Sequence, residues 1–183
     1  MAKMYLMCGL SGAGKTTFAK KFAEENNLMY MGIDEMYAKI NGDECIHENS
    51  FKVWHKFFEV IHDLEVNNVD CIIDTNAITL CHRTQFLDWF PTFEPHLIYI
   101  DTPNVLRCEN NKRRRRVIPD EVMTKMLQNS ELPEKFTDGE FWYDTEDDRW
   151  RTIWYIKNND NEFEEPELWR PDWRNPENDK LGC

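Results

Sequence analysis

Short apolar runs, each stopped by a glycine or a carboxylate, alternate along this chain with longer segments whose apolar positions recur every three or four residues. Residues 4–8 (MYLMC) form the first run and are closed by Gly9; residues 16–25 follow with Phe18, Ala19, Phe22 and Ala23 at helical spacing, so the opening reads as strand, loop, helix. Residues 28–33 (LMYMGI) make a second strand that ends at Asp34. Phe51, Trp54, Phe57, Phe58 and Ile61 fall on one side of a helix over 51–64, a stripe that belongs to the core rather than to a ligand. Residues 71–73 and 97–100 are two further buried-type strands, closed by Asp74 and Asp101. Helices are predicted over 83–89 and 104–116, and Pro119 opens another over 120–129 with Val122, Met126 and Leu127 as its apolar face. Residues 151–156 (RTIWYI) read as a fifth strand.

Strands that alternate with helices imply an α/β fold, a parallel five-stranded sheet flanked by helices, and right-handed crossovers bring the polar-ended loops to one edge. Residues 157–183, which carry Trp169, Trp173 and several prolines but no usable period, read as an irregular acidic tail on a domain spanning 1–156. No internal repeat is visible.

Composition narrows the class. A length of 183 residues fits one domain, and a hydrophobic share of 41% with 13% aromatic excludes disorder from end to end. No apolar run approaches the ~18 residues of a membrane span, and residues 1–6 are too short for a secretory signal, so the expectation is a cytoplasmic protein with no membrane partner. Cys8, Cys45, Cys71, Cys81, Cys108 and Cys183 form no CxxC pair and are read as free thiols. The net charge is −12, and residues 131–183, with 16 acidic against 7 basic side chains, supply nine of those negative charges. Such a chain is no generic binder of nucleic acid, whose phosphates are met mostly by Lys and Arg. One basic run stands out, KRRRR at 112–116, and from composition alone a bland reading, a solvated helix face or a localisation-type patch, weighs as much as a functional one.

Gly9-Leu10-Ser11-Gly12-Ala13-Gly14-Lys15-Thr16 satisfies GxxxxGK[ST] between a predicted strand and a predicted helix, the context that a P-loop needs. Glycines let successive N–H groups converge on phosphate oxygens, the helix N-terminus adds its dipole, Lys15 reaches the β and γ phosphates, and Thr16 offers its hydroxyl to magnesium. The nucleotide contacts expected are Gly9, Ser11, Gly12, Ala13, Gly14, Lys15, Thr16 and Thr17, with ATP and Mg2+ as cofactors. Asp34 ends the second strand, where a kinase needs a carboxylate to take the acceptor hydroxyl's proton; the bland reading is a helix N-cap for 35–40. Glu35 ranks second for that role. Asp74, in IIDTN, can serve magnesium's water shell or orient the acceptor, or else cap a turn. Asn76 joins it on the acceptor side.

Given a P-loop, the basic run between the fourth and fifth strands becomes an arginine-rich lid near 107–130, whose guanidinium groups neutralise charge on the transferred phosphoryl group. Arg113 and Arg116, three apart on the predicted helix, would share a face towards the nucleotide. His55 and His62 read as surface groups, and His82 as a weak acceptor-side candidate beside Arg83.

With GLSGAGKT, the Asp of GIDEMY, IIDTNAIT followed by Arg83, and NNKRRRRVIPDEVMTKM, residues 3–132 resemble the polynucleotide-kinase-like group of P-loop kinases, which includes zeta-toxin-type and antibiotic-inactivating phosphotransferases. DTN and the arginine lid look like the 5′-hydroxyl kinase domain of phage-type enzymes. The resemblance implies Lys15 as P-loop lysine, Thr16 as magnesium ligand, Asp34 as general base, Asp74 as acceptor-site aspartate and Arg113 as lid arginine. It departs at one place: phage-type kinases carry an arginine shortly after the base to clamp the acceptor's phosphate, and here Tyr37 stands there, leaving Lys39 or Arg83 to compensate. No companion phosphatase motif is present. The leading expectation is an ATP- and magnesium-dependent kinase of a hydroxyl, with a nucleic-acid 5′ end as acceptor. A small-molecule kinase acting on a nucleoside, sugar nucleotide or antibiotic comes second, and a nucleotide-dependent regulatory binding protein third.

Overall fold

In a computed structural model, which describes residues 1–46, 48–133 and 149–170, the apolar runs become β1 (Lys3–Cys8), β2 (Met29–Gly32), β3 (Cys71–Asp74), β4 (Glu94–Asp101) and β5 (Thr152–Asn159). Between them lie α1 (Lys15–Asn26), α2 (Ile33–Asn41), α3 (Ser50–Val66), α4 (Leu80–Trp89), α5 (Asn104–Lys112) and α6 (Asp120–Gln128). The five strands are parallel in the order β2-β3-β1-β4-β5, with Leu6 of the central strand paired to Ile73 on one side and Leu97 on the other.

Period-two alternation sorts the strand residues into two cores. Met4, Leu6, Cys8, Cys71, Ile73, Leu97 and Tyr99 face α3 and α4, where Val53, Phe57, Ile61, Phe86, Leu87 and Phe90 meet them. Met7, Ile72, Ile98 and Ile100 face α1 and its Ala19 and Ala23. The aromatic stripe expected of α3 is core: Phe57 is fully buried, edge-on to Trp54 with centroids 5.7 Å apart, and Phe58 meets Trp89 edge-on at 4.5 Å.

Two expectations are corrected. Residues 157 onwards are not irregular throughout. Strand β5 runs on to Asn159, turns through Asp160 (φ 53) and Asn161 (φ 64), and returns as β6 (Glu162–Phe163), while β7 (Glu167–Arg170) pairs antiparallel with the start of β5. Two adjacent left-handed residues are the signature of a primed hairpin turn, which Asp and Asn tolerate without glycine. The side chain of Trp169 and all of Trp173 lie outside the described residues. Nor does a helix reach Arg116: α5 stops at Lys112, because buried Asn111 donates from Nδ2 to the Ile118 carbonyl (2.7 Å) and accepts the Ile118 N–H (3.0 Å), pinching residues 112–117 into a turn. All four arginines on that turn are exposed, and Arg113 and Arg116 do not share a helix face.

Arg83 is placed beneath the site rather than facing an acceptor. It is 1% exposed, and its Nη1 donates to the carbonyls of Glu131 (2.7 Å) and Ala77 (3.3 Å). Glu131 also donates its N–H to the Ile78 carbonyl (2.8 Å) and accepts the Leu80 N–H on Oε2 (2.8 Å), so Arg83 and Glu131 together fasten the chain after α6 to the loop after β3. Arg83→Met should therefore lower stability by about 2–5 kcal/mol, because buried carbonyls lose a charged donor. Guanidinium-chloride unfolding checks this, with a reduced midpoint and an unchanged slope expected.

Candidate functional site

Residues 9–14 join the end of β1 to α1, and Gly14 (φ 92) is the N-cap of that helix. Gly12 (φ 82) is needed twice over: its backbone is left-handed, and any Cβ would collide with the carbonyl of Arg107 on α5. A Cβ on Gly14 would sit 3.0 Å from Asn158 Nδ2 and 3.2 Å from the Phe163 ring. The segment after residue 156 therefore packs on the phosphate-binding loop itself.

Side chains from distant elements hold the loop by its carbonyls. Thr102 Oγ1 and Asn158 Nδ2 both donate to Ala13 O at 2.9 Å, and Asn110 Nδ2 donates to Gly12 O at 3.0 Å and to Asn161 Oδ1 at 2.8 Å. The Gly9 N–H donates to the carbonyl of half-buried Asn76 (3.1 Å), so Asn76 meets the loop through its backbone. Buried Ser11 donates to Met126 Sδ of α6 at 3.6 Å, while Thr17 is exposed on α1.

Lys15 lies buried at the loop's centre, its Nζ donating to Gly9 O (2.8 Å) and Leu10 O (3.1 Å). Burial pushes its ammonium down to about 8; the Asp74 carboxylate opposes the shift, Arg114 adds to it, and Asp34 again opposes it. These perturbations place Asp34, Asp74 and Arg114 within electrostatic reach of Lys15 at one edge of the sheet. Of the arginines at 113–116, Arg114 is among the groups that shift Lys15. Arg113 is the C-cap of α5, and Arg115 pairs with Asp43, on the loop after α2, at 2.6 Å.

Asp74 ends β3 opposite Gly32 and is 7% exposed. Its Oδ2 accepts from Thr16 Oγ1 (2.6 Å) and from Tyr30 Oη (2.9 Å). Burial and then the Asp74 charge raise the Tyr30 hydroxyl pKa, so it stays a donor. A hydroxyl and a carboxylate at the foot of a phosphate-binding loop are hard oxygen donors, which fit a magnesium ion that keeps waters and takes phosphate oxygens. No group of three or more His, Cys, Asp or Glu side chains converges among the described residues. Asp34 is not the N-cap of α2, since Gly32 holds that place; it stands exposed in the first turn, beside Glu35, which pairs with Lys20 at 2.6 Å. Tyr37 is 4% exposed in the core and offers nothing to an acceptor phosphate.

The sequence reading missed Tyr30, Thr102, Asn110, Arg114 and Asn158. Thr102, directly after the Asp that ends a strand, carried a positional signal; Asn158 lay in a segment without a readable period.

A phosphate-binding loop on the central strand of a sheet ordered β2-β3-β1-β4-β5 defines a P-loop protein with a kinase-type fold. Residues 4–133 match the model of the AAA domain family AAA_33, and the chain belongs to that family. It is similar to a sugar kinase from Janibacter sp. HTCC2649 (TM-score 0.55, 20% identity, 73% of this chain and 80% of that one). It is also similar to a gluconokinase from Sinorhizobium meliloti 1021 (TM-score 0.55, 14% identity, 85% and 82%). A chain of the Pnkp1/Rnl/Hen1 RNA repair complex matches with a TM-score of 0.61 and 18% identity, over 79% of this chain and 52% of that one. The comparison with curated proteins finds no match. No helix among the described residues is long and apolar enough to cross a membrane.

The lowered Lys15 sets a pH dependence. Bound phosphate favours the ammonium form, so binding above pH 8 must take up a proton. ATP affinity without magnesium should be flat from about pH 7 to 8 and then fall by up to about tenfold per pH unit. Lys15→Met should bind weakly and lose the break at pH 8, as isothermal titration across that range would show.

Proposed function

We propose that this chain is an ATP- and magnesium-dependent phosphotransferase that acts on a hydroxyl, with the 5′-hydroxyl of a nucleic acid as its acceptor. The observation that carries the reading is Asp34. A switch protein that merely hydrolyses its nucleotide has no use for an exposed carboxylate on the first turn of α2, within electrostatic reach of the P-loop lysine. Asp34 takes the proton from the attacking hydroxyl. Lys15 holds the β and γ phosphates, and Arg114, with Arg113 and Arg116 on the same turn, neutralises charge on the transferred group. Thr16 and the Asp74 carboxylate would hold magnesium, which would neutralise phosphate charge when bound. Glu35 and Asn76 border the acceptor side.

Support for a nucleic-acid acceptor comes from the exposed turn 112–117, which presents four arginines to solvent and whose Arg115 reaches across to Asp43 on the loop after α2. A small-molecule acceptor is the second reading, and it is favoured by the burial of Tyr37 and Arg83, which removes two positions for gripping an acceptor phosphate.

Transfer from γ-labelled ATP to 5′-hydroxyl oligonucleotides, nucleosides and sugars tests both readings. An oligonucleotide should be preferred, with log kcat/KM falling against log salt by about 0.7 for each phosphate contacted. Higher efficiency on a free nucleoside or sugar would promote the second reading. Asp34→Asn should leave ATP affinity intact and cut turnover by about 10²- to 10⁴-fold. An equal collapse of ATP binding would make Asp34 structural.

A further inference from the structure

Tyr30 belongs to none of the motifs, yet it stands where four elements meet. Its hydroxyl donates to Asp74 Oδ2 at 2.9 Å, the same oxygen that accepts from Thr16 at 2.6 Å. Over its ring, 5.2 Å from the centroid, lies the Lys20 ammonium, and Lys20 in turn holds Glu35 at 2.6 Å. The chain of contacts thus runs from the first turn of α2, which carries Asp34, through α1 and β2 to the carboxylate at the end of β3.

Gly32 completes the arrangement. Tyr30 and Gly32 are two apart on β2 and so share a face of the sheet, the face that packs against α1. Gly32 has ordinary extended backbone (φ −103), so no left-handed conformation calls for glycine. Closeness does: a Cβ there would lie 2.5 Å from Tyr30 Oη and 3.0 Å from two carbons of its ring. The missing side chain is what lets the tyrosine lie along the strand and reach Asp74, which sits opposite Gly32 in the β3 register.

We infer that Tyr30 is a positioning residue for the metal–nucleotide site, fixing the rotation of the Asp74 carboxylate that magnesium would share with Thr16. This rests on the proposed function above. A carboxylate held by one hydroxyl can still pivot about its own axis; a second donor on the same oxygen, from a different element, sets its plane. The Thr16 hydroxyl can give its lone pair to a cation while its O–H still donates to Asp74, so Tyr30 and Thr16 act together rather than in turn. Partners of this kind to a metal-ligating carboxylate typically account for about 10- to 100-fold in metal affinity.

The experiment measures ATP binding without metal, then titrates magnesium to find the concentration that gives half of the tightening. Tyr30→Phe keeps the ring and its packing and removes only the hydroxyl. It should leave the metal-free affinity unchanged and raise the magnesium midpoint by about 10- to 100-fold. Gly32→Ala, which keeps the hydroxyl but puts a methyl in its path, should shift the midpoint the same way. An unchanged midpoint in Tyr30→Phe overturns the inference, as does an equal loss of affinity with and without magnesium, which marks a purely structural role. If the unsubstituted protein binds ATP identically with and without magnesium, the metal assignment in the proposed function falls and takes this inference with it.

Discussion

The site depends on how the phosphate-binding loop is held open. The amides of a glycine-rich loop can converge on a phosphate only if its peptide planes are set in the right directions. Here Thr102, Asn110 and Asn158 donate to the carbonyls of Gly12 and Ala13 across sequence separations of 89, 98 and 145 residues. Each such bond is worth about 1 kcal/mol in stability. Their larger effect is geometric, since they fix the direction of the peptide planes before a ligand arrives and reduce the ordering that binding would otherwise require. A local sequence motif is therefore made competent by the far end of the chain.

Charge follows the same logic of local arrangement against global composition. A net charge of −12 disfavours polyanions at long range, but screening at physiological salt confines exposed charges to about 8 Å. Within that distance the site is governed by Lys15, by the carboxylates of Asp34 and Asp74 and by Arg114. Burial alone would neutralise Lys15 more readily; the two carboxylates oppose that shift, and the nearby guanidinium reinforces it. Negative charge brought in by a phosphate chain would relieve the crowding of Lys15 and Arg114, a contest that the protein alone leaves unbalanced.

What was legible in the sequence was whatever a short window contains. GLSGAGKT fixed the loop, the apolar runs fixed the five parallel strands, and the carboxylates at their ends marked the functional edge. Partners that meet only through the sheet order were not legible. Tyr30 and Asp74 are 44 residues apart and are brought together by the pairing of β2 with β3. Arg83 looked functional because an arginine beside a conspicuous motif suggests an anion, and nothing local reveals that its side chain is buried and donates to two carbonyls, one of them 48 residues away. The arginine run looked helical because Lys and Arg are good helix formers. One buried asparagine, bonding both ways to Ile118, overrides that preference.

That asparagine also sets the shape of the arginine turn. Residues 112–130 hang between two firm attachments, the Asn111–Ile118 pair at one end and the Arg83–Glu131 anchorage just beyond the other. Beside the buried Met123 of α6, two further contacts of the span are weaker: the Ser11–Met126 contact, and the Arg115–Asp43 pair, whose arginine side chain is 71% exposed. Exposed pairs of that type contribute only about 0–1 kcal/mol, whereas a buried, bidentate side-chain-to-backbone clamp contributes more and resists solvent. The turn's shape therefore does not depend on the weak contacts, and its arginines are held together as one group. A turn shaped by buried bonds keeps four exposed guanidinium groups together at the end of α5 whether or not the weaker surface pairs form.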